Sequence, residues 1–168
     1  MMDKLKVHYL KLGPRVFVIV CVLLLIITDL LNSYYLKLWW KHKNFSAVFV
    51  NLLAQRSGMQ IQEFEQATVQ DWMQLFDNAV YFFIVLIIAN NLFFYFFYLR
   101  KKLWAQGYVL FYTLTAALFA VTFIFDGVEL GVGWLIYNMS TIFMYMYLYV
   151  GVKLLRNETT LVDGKKGR

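Results

Sequence analysis

Four stretches of the chain are apolar with few breaks: Val16 to Leu36, Asn78 to Leu99, Trp104 to Phe125, and Gly131 to about Leu155. A hydrocarbon layer about 30 Å thick takes roughly 20 residues of helix to cross, and each stretch has that length. Lipid offers the backbone no hydrogen-bond partner, so a spanning segment must be a helix or part of a closed barrel. Barrel strands alternate apolar and polar residues over about ten positions, and these runs do not. The pattern predicts an all-α, polytopic membrane protein: a four-transmembrane-helix bundle forming a single membrane domain over 1–168, with a tail at 156–168.

Between the first two spans, residues 41–77 change register. Phe45, Val48, Phe49, Leu52 and Leu53 recur at i, i+3, i+4, i+7 and i+8, one stripe of an amphipathic helix. Ser46 is the candidate N-cap, and Ser57-Gly58 supplies the stop. Ile61 and Phe64 follow among glutamines and glutamates. Thr68-Val69-Gln70-Asp71 then resembles a capping box, with Asp in place of the preferred Glu or Gln. The stripe Val69, Trp72, Met73 and Phe76 runs unbroken into span two. The expectation is a helix along the membrane interface, a turn, and a helix that prolongs span two.

Composition agrees with this picture and charge adds orientation. Apolar residues make up 61% of the 168 and charged residues 15%, against about half and a quarter in ordinary soluble domains. The net charge of +6 sits mainly beside the spans. Lipid headgroups and orientation therefore explain it better than nucleic acid, for which no folded soluble region remains. Lys4, Lys6, Lys11 and Arg15 precede span one; Arg100, Lys101 and Lys102 join spans two and three; Lys153, Arg156, Lys165, Lys166 and Arg168 mark the tail. The link between spans three and four has Asp126 and Glu129 and no basic residue. Basic residues collect on the cytoplasmic side, so both ends are expected there and the 41–77 segment outside. Lys37, Lys41 and Lys43 oppose this assignment and are outweighed. Trp39, Trp40 and Trp134 suit the outer interface, and Trp104 and Tyr98 the inner one. The first span is too long for a signal-peptide core and lacks a small-residue cleavage site, so an uncleaved anchor is expected. The cell's inner or plasma membrane is the expected location; the final Lys165-Lys166-Gly167-Arg168 leaves the endoplasmic reticulum as an alternative.

Polar residues inside the spans are the candidate site. Asp29 is the one ionisable acid well inside a span, within about 5 Å of its midpoint. Thr28, Asn32 and Ser33 lie near it, Asn32 at i+3 on a similar face. Asn90 and Asn91 stand near the middle of span two, Thr113 and Thr115 in span three, and Asn138, Ser140 and Thr141 in span four. A bundle can gather several of these into one layer. A carboxylate in hydrocarbon costs several kcal/mol unless it is paired, protonated or wetted, and no span holds a Lys or Arg well inside it to pair with Asp29. That acid suits either a proton-coupled carrier or a helix-to-helix clasp. Neighbouring Asn90 and Asn91 point about 100° apart, so one can face this bundle and the other a second protein. Such interhelical bonds average under about 1 kcal/mol and select partners more than they stabilise. Ala116-x-x-x-Ala120 and Gly127-x-x-x-Gly131 are small-residue pairs of the kind that let helices approach.

Other chemistry finds no support in the sequence. Cys21 is the single cysteine, and His8 and His42 are predicted on opposite sides of the membrane, so neither a thiolate metal site nor a Ser/His/Asp triad is expected. Nucleotide-binding glycine loops, arginine ladders and selectivity-filter sequences are absent. No cofactor is expected. The leading expectation is a non-catalytic accessory or assembly subunit of a larger membrane complex, its partners being membrane lipids and another membrane protein or further copies of itself. The alternative is a homo-oligomeric ion channel or proton-coupled transporter built on Asp29.

Overall fold

The computed structural model describes residues 7–9, 11–58, 66–126 and 131–166. Residues 7–9 and 11–12 are helical. Five longer helices follow: α1 (Pro14–His42), α2 (Phe45–Ser57), α3 (Gln66–Leu99), α4 (Leu103–Asp126) and α5 (Val132–Lys166). The described residues contain no strand, and α1, α3, α4 and α5 are each long and apolar enough to cross a membrane. The protein is an all-α, four-span bundle.

Local chemistry sets the helix boundaries. Gly13, at φ 77°, turns the chain into α1, whose first residue is Pro14. Proline suits that position because its missing N–H would have had no helical partner. The helix runs six residues past the predicted end of span one, to His42. Asn44, in the left-handed region at φ 49°, makes the corner into α2. Gly58 closes α2 as expected: at φ 70° its N–H reaches the Ala54 and Gln55 carbonyls. α3 begins at Gln66, two residues before the expected capping box, so Thr68 lies in its first turn and does not cap it. The predicted positions Ile61 and Phe64 lie outside the described residues, as does Gly127. α3 does continue span two, and α4 matches its predicted span to within a residue at each end. α5 continues beyond the predicted span into the tail, as far as Lys166.

The chain divides into two compact units, one comprising residues 1–28 and 91–168 and the other residues 29–90. In the first, buried residues form one stripe per helix. α4 buries Ala105, Val109, Thr113, Ala117 and Ala120; α5 buries Trp134, Asn138, Thr141, Tyr145, Leu148 and Val152. These recur every three or four residues, the spacing of one helical face. The α4 face is made of small side chains and the α5 face mostly of large ones, and this is the closest helix pair. In lipid there is no hydrophobic gain from bringing helices together, so close backbone approach at small residues is what favours the contact. Phe17, Cys21, Val22 and Leu25 of α1, with Tyr95 and Tyr98 of α3, complete this core.

In the second unit, α2 buries Ser46, Val50 and Ala54. The predicted apolar stripe lies on another face: Val48, Phe49, Leu52 and Leu53 are exposed. The small residues of α2 thus face protein, and of the large exposed ones Phe49 stacks on Trp40 and Phe76.

Candidate functional site

The predicted polar residues separate into several environments. Asn91, 1% exposed, accepts a hydrogen bond from the Tyr108 hydroxyl of α4. It stands in a run of aromatic rings: Phe94 stacks on Tyr108 with centroids 3.6 Å apart, Tyr108 on Tyr112 at 6.0 Å, and Tyr112 meets Tyr145 edge-on at 6.1 Å. Trp104 closes the other end against Phe94 and Phe97. The tyrosine supplies both a ring for the stack and a donor for the buried amide, as a buried Tyr needs.

Thr113, Asn138 and Thr141 are also buried in this unit, and their hydrogen bonds run to their own helices. Thr113 Oγ1 donates to the Val109 carbonyl at 2.8 Å, Asn138 Nδ2 to the Trp134 carbonyl at 2.9 Å, and Thr141 Oγ1 to the Tyr137 carbonyl at 2.8 Å. Thr28 Oγ1 donates to the Leu24 carbonyl at 2.7 Å and lies 3.1 Å from Met144 Sδ. Back-bonding of this kind satisfies a hydroxyl or amide without a neighbouring helix. Trp134 differs: its Nε1 donates across to the Phe123 carbonyl of α4 at 2.9 Å.

Asp29, Asn32 and Asn90 belong to the other unit. Asp29 is 5% exposed, and Ser33 Oγ donates to its backbone carbonyl at 2.7 Å. Asn32 is half-buried, while Asn90 is exposed. Around Asn90 the surface is strongly apolar, with Leu86, Ile87 and Phe93 also exposed.

Two constellations carry side-chain chemistry that the sequence pattern did not single out. In the 29–90 unit, Asp77 Oδ1 accepts from Ser46 Oγ at 2.6 Å and from Trp40 Nε1 at 2.8 Å, joining α1, α2 and α3. Trp40 also stacks on Phe49, which stacks on Phe76. Ser46, the expected N-cap, lies inside α2, and its hydroxyl is committed to this carboxylate. A carboxylate one residue before a predicted span, opposite a Ser and a Trp from another part of the chain, has no sequence signature.

The second constellation holds the N-terminal residues. Tyr9, buried, donates its hydroxyl to the Tyr147 carbonyl at 2.8 Å, and its ring meets Phe17 edge-on. Burial, with the nearby Tyr147 phenol adding to it, pushes the Tyr9 hydroxyl up to about 12. His8 Nε2 stands 3.2 Å from the Tyr147 hydroxyl. The rings lodge at Gly151, where a methyl group would come within 2.6 Å of Phe17 Cε2 and 2.7 Å of Tyr9 Cε1. Cys21 and Tyr98 share a hydrogen bond nearby in the same core.

Among the described residues, no three His, Cys, Asp or Glu side chains lie close enough to hold a metal ion. Asp77, Asn91, Trp134 and Tyr9 tie separate elements together, while Thr113, Asn138 and Thr141 bond within their own helices. Comparison with protein-family models, with curated proteins and with solved structures gives no match to this chain.

Proposed function

We propose that this protein is a non-catalytic subunit that docks through α3 against a transmembrane helix of another membrane protein. One observation carries the reading. Asn90 is exposed on α3, whose most apolar stretch is only 11% buried. An apolar face that its own bundle leaves this open can take another spanning helix, and the amide on it lets such a helix be chosen by a polar contact as well as by packing. The partner on this reading is a spanning protein that packs along the outer face of α3.

Mild extraction from the native membrane, native sizing and mass spectrometry test the reading. The expected result is a stoichiometric spanning protein that photo-crosslinks from position 90 or 87 and is lost with Asn90→Leu. A clean homo-oligomer, or a partner indifferent to Asn90→Leu, removes it.

The burial of Asp29 near the middle of α1 favours a second reading, a proton-coupled carrier or channel assembled from copies of this chain. On that reading Asp29→Asn abolishes flux in proteoliposomes while the protein still folds.

For orientation we infer cytoplasmic ends, on the distribution of Lys and Arg. In a Cys21→Ala background, Gly58→Cys then reacts with an impermeant thiol reagent in intact cells and Lys101→Cys does not. The opposite pattern reverses the assignment.

A further inference from the structure

We propose that the cleft between the start of α1 and the end of α3 binds the phosphate of an anionic phospholipid. Its volume is about 350 Å³, and it is lined by Arg15, Val18, Ile19, Leu99 and Lys101. Pro14 begins one membrane-length helix and Leu99 ends another, so the cleft opens at headgroup depth whichever way the protein faces. The lining has two parts. Arg15 and Lys101 are exposed cations, and Val18, Ile19 and Leu99 form an apolar wall beside them. A phosphodiester between the cations with its acyl chain along the wall satisfies both.

Among the described side chains of this unit none is acidic. Residues 7–28, 91–125 and 131–155 contain six basic residues, Lys11, Arg15, Arg100, Lys101, Lys102 and Lys153, and no acidic one. The side chains of Arg15 and Lys101 make no hydrogen bond or ion pair among the described residues. Arg100, by contrast, packs over the Phe96 ring at 4.2 Å. A basic pocket at the end of spanning helices recognises anionic headgroups by charge, with the Arg able to grip two phosphate oxygens at once.

The backbone adds an independent observation. After α3 the Lys101 N–H bonds to the Tyr98 carbonyl at 2.9 Å and the Lys102 N–H to the Phe97 carbonyl at 3.1 Å. This is a Schellman closure, and it puts Lys101 in the left-handed region at φ 57°. Glycine occupies that position without strain, and lysine does not. Strain retained at one residue points to a use for its side chain.

The test uses the full chain in detergent, titrated with phosphatidylglycerol, with phosphatidylcholine and with inorganic phosphate, reading retained lipid by native mass spectrometry and thermal unfolding. Expected is retention of one phosphatidylglycerol, with affinity falling about tenfold in Arg15→Gln and in Lys101→Gly, and unchanged in Lys102→Gln. Lys101→Gly is expected to unfold no earlier than the parent, which separates lost binding from lost folding; Lys101→Asn, also tolerant of this backbone, serves if it does not express. Equal retention of the two lipids overturns the proposal. So does an equal loss in Lys102→Gln, which would mean diffuse charge, or stabilisation by inorganic phosphate equal to that by the lipid, which would mean a simple anion site.

Discussion

The hydroxyl of Tyr9 donates to the backbone carbonyl of Tyr147 across 2.8 Å, joining residues 138 apart in the chain. The bond fastens the residues that precede α1 to the middle of α5. Tyr9 keeps its proton well above the ordinary range near 10, to about 12, because burial disfavours the phenolate. A raised folded-state value means that the folded form holds its proton while the unfolded chain releases it. The contribution of Tyr9 is therefore complete below pH 10 and is lost as the pH climbs through 12. The tyrosinate absorbance of the parent minus that of Tyr9→Phe is expected to rise near pH 12, and a rise at pH 10 would contradict the buried geometry.

Gly151 makes that fastening possible. Gly151→Ala places a methyl group against Phe17 and Tyr9, and overpacking of this kind costs about 1–3 kcal/mol. Gly107→Ala is the matched control, since nothing lies within 4 Å of the added carbon and alanine favours the helix. Thermal unfolding in mild detergent is expected to fall for the first and to hold or rise for the second.

Asp77 ties three helices with one oxygen. Asp77→Ala removes the acceptor of the Ser46 hydroxyl and leaves the Trp40 Nε1 only its longer bond to Ser46 Oγ at 3.1 Å, at a cost of about 1–3 kcal/mol. Asp77→Asn, which keeps the acceptor oxygen, is expected to lose less. Combining Asp77→Ala with Ser46→Ala should cost less than the two separately, because both remove the same bond. Additive losses in unfolding experiments would show that Ser46 and Asp77 act independently.

The Asn91 amide and the Tyr108 hydroxyl form a similar pair. Asn91→Leu and Tyr108→Phe are each expected to destabilise by about 1 kcal/mol, and the double substitution by less than the sum. The Tyr108→Phe ring still stacks on Phe94, so a large loss in that variant would have to come from the hydrogen bond.

Residue order alone determined the four membrane-length helices, the stop at Gly58 and the helix that carries span two past Asn78, because length, apolarity and φ preference are local properties. It also set how far along each apolar stretch the polar residues fall, which follows from 1.5 Å per residue. Helix rotation is different. It depends on which neighbours a face meets, and in lipid an apolar face carries no signal of whether protein or hydrocarbon covers it. Tertiary structure therefore decided that Asn91 is buried and Asn90 exposed, that α2 turns Ser46, Val50 and Ala54 inward, and that α4 offers Ala105 to Ala120 as its close-packing face. It also decided the long-range bonds, Tyr9 to Tyr147 and Trp40 and Ser46 to Asp77, since no spacing rule connects groups brought together only by the path of the chain.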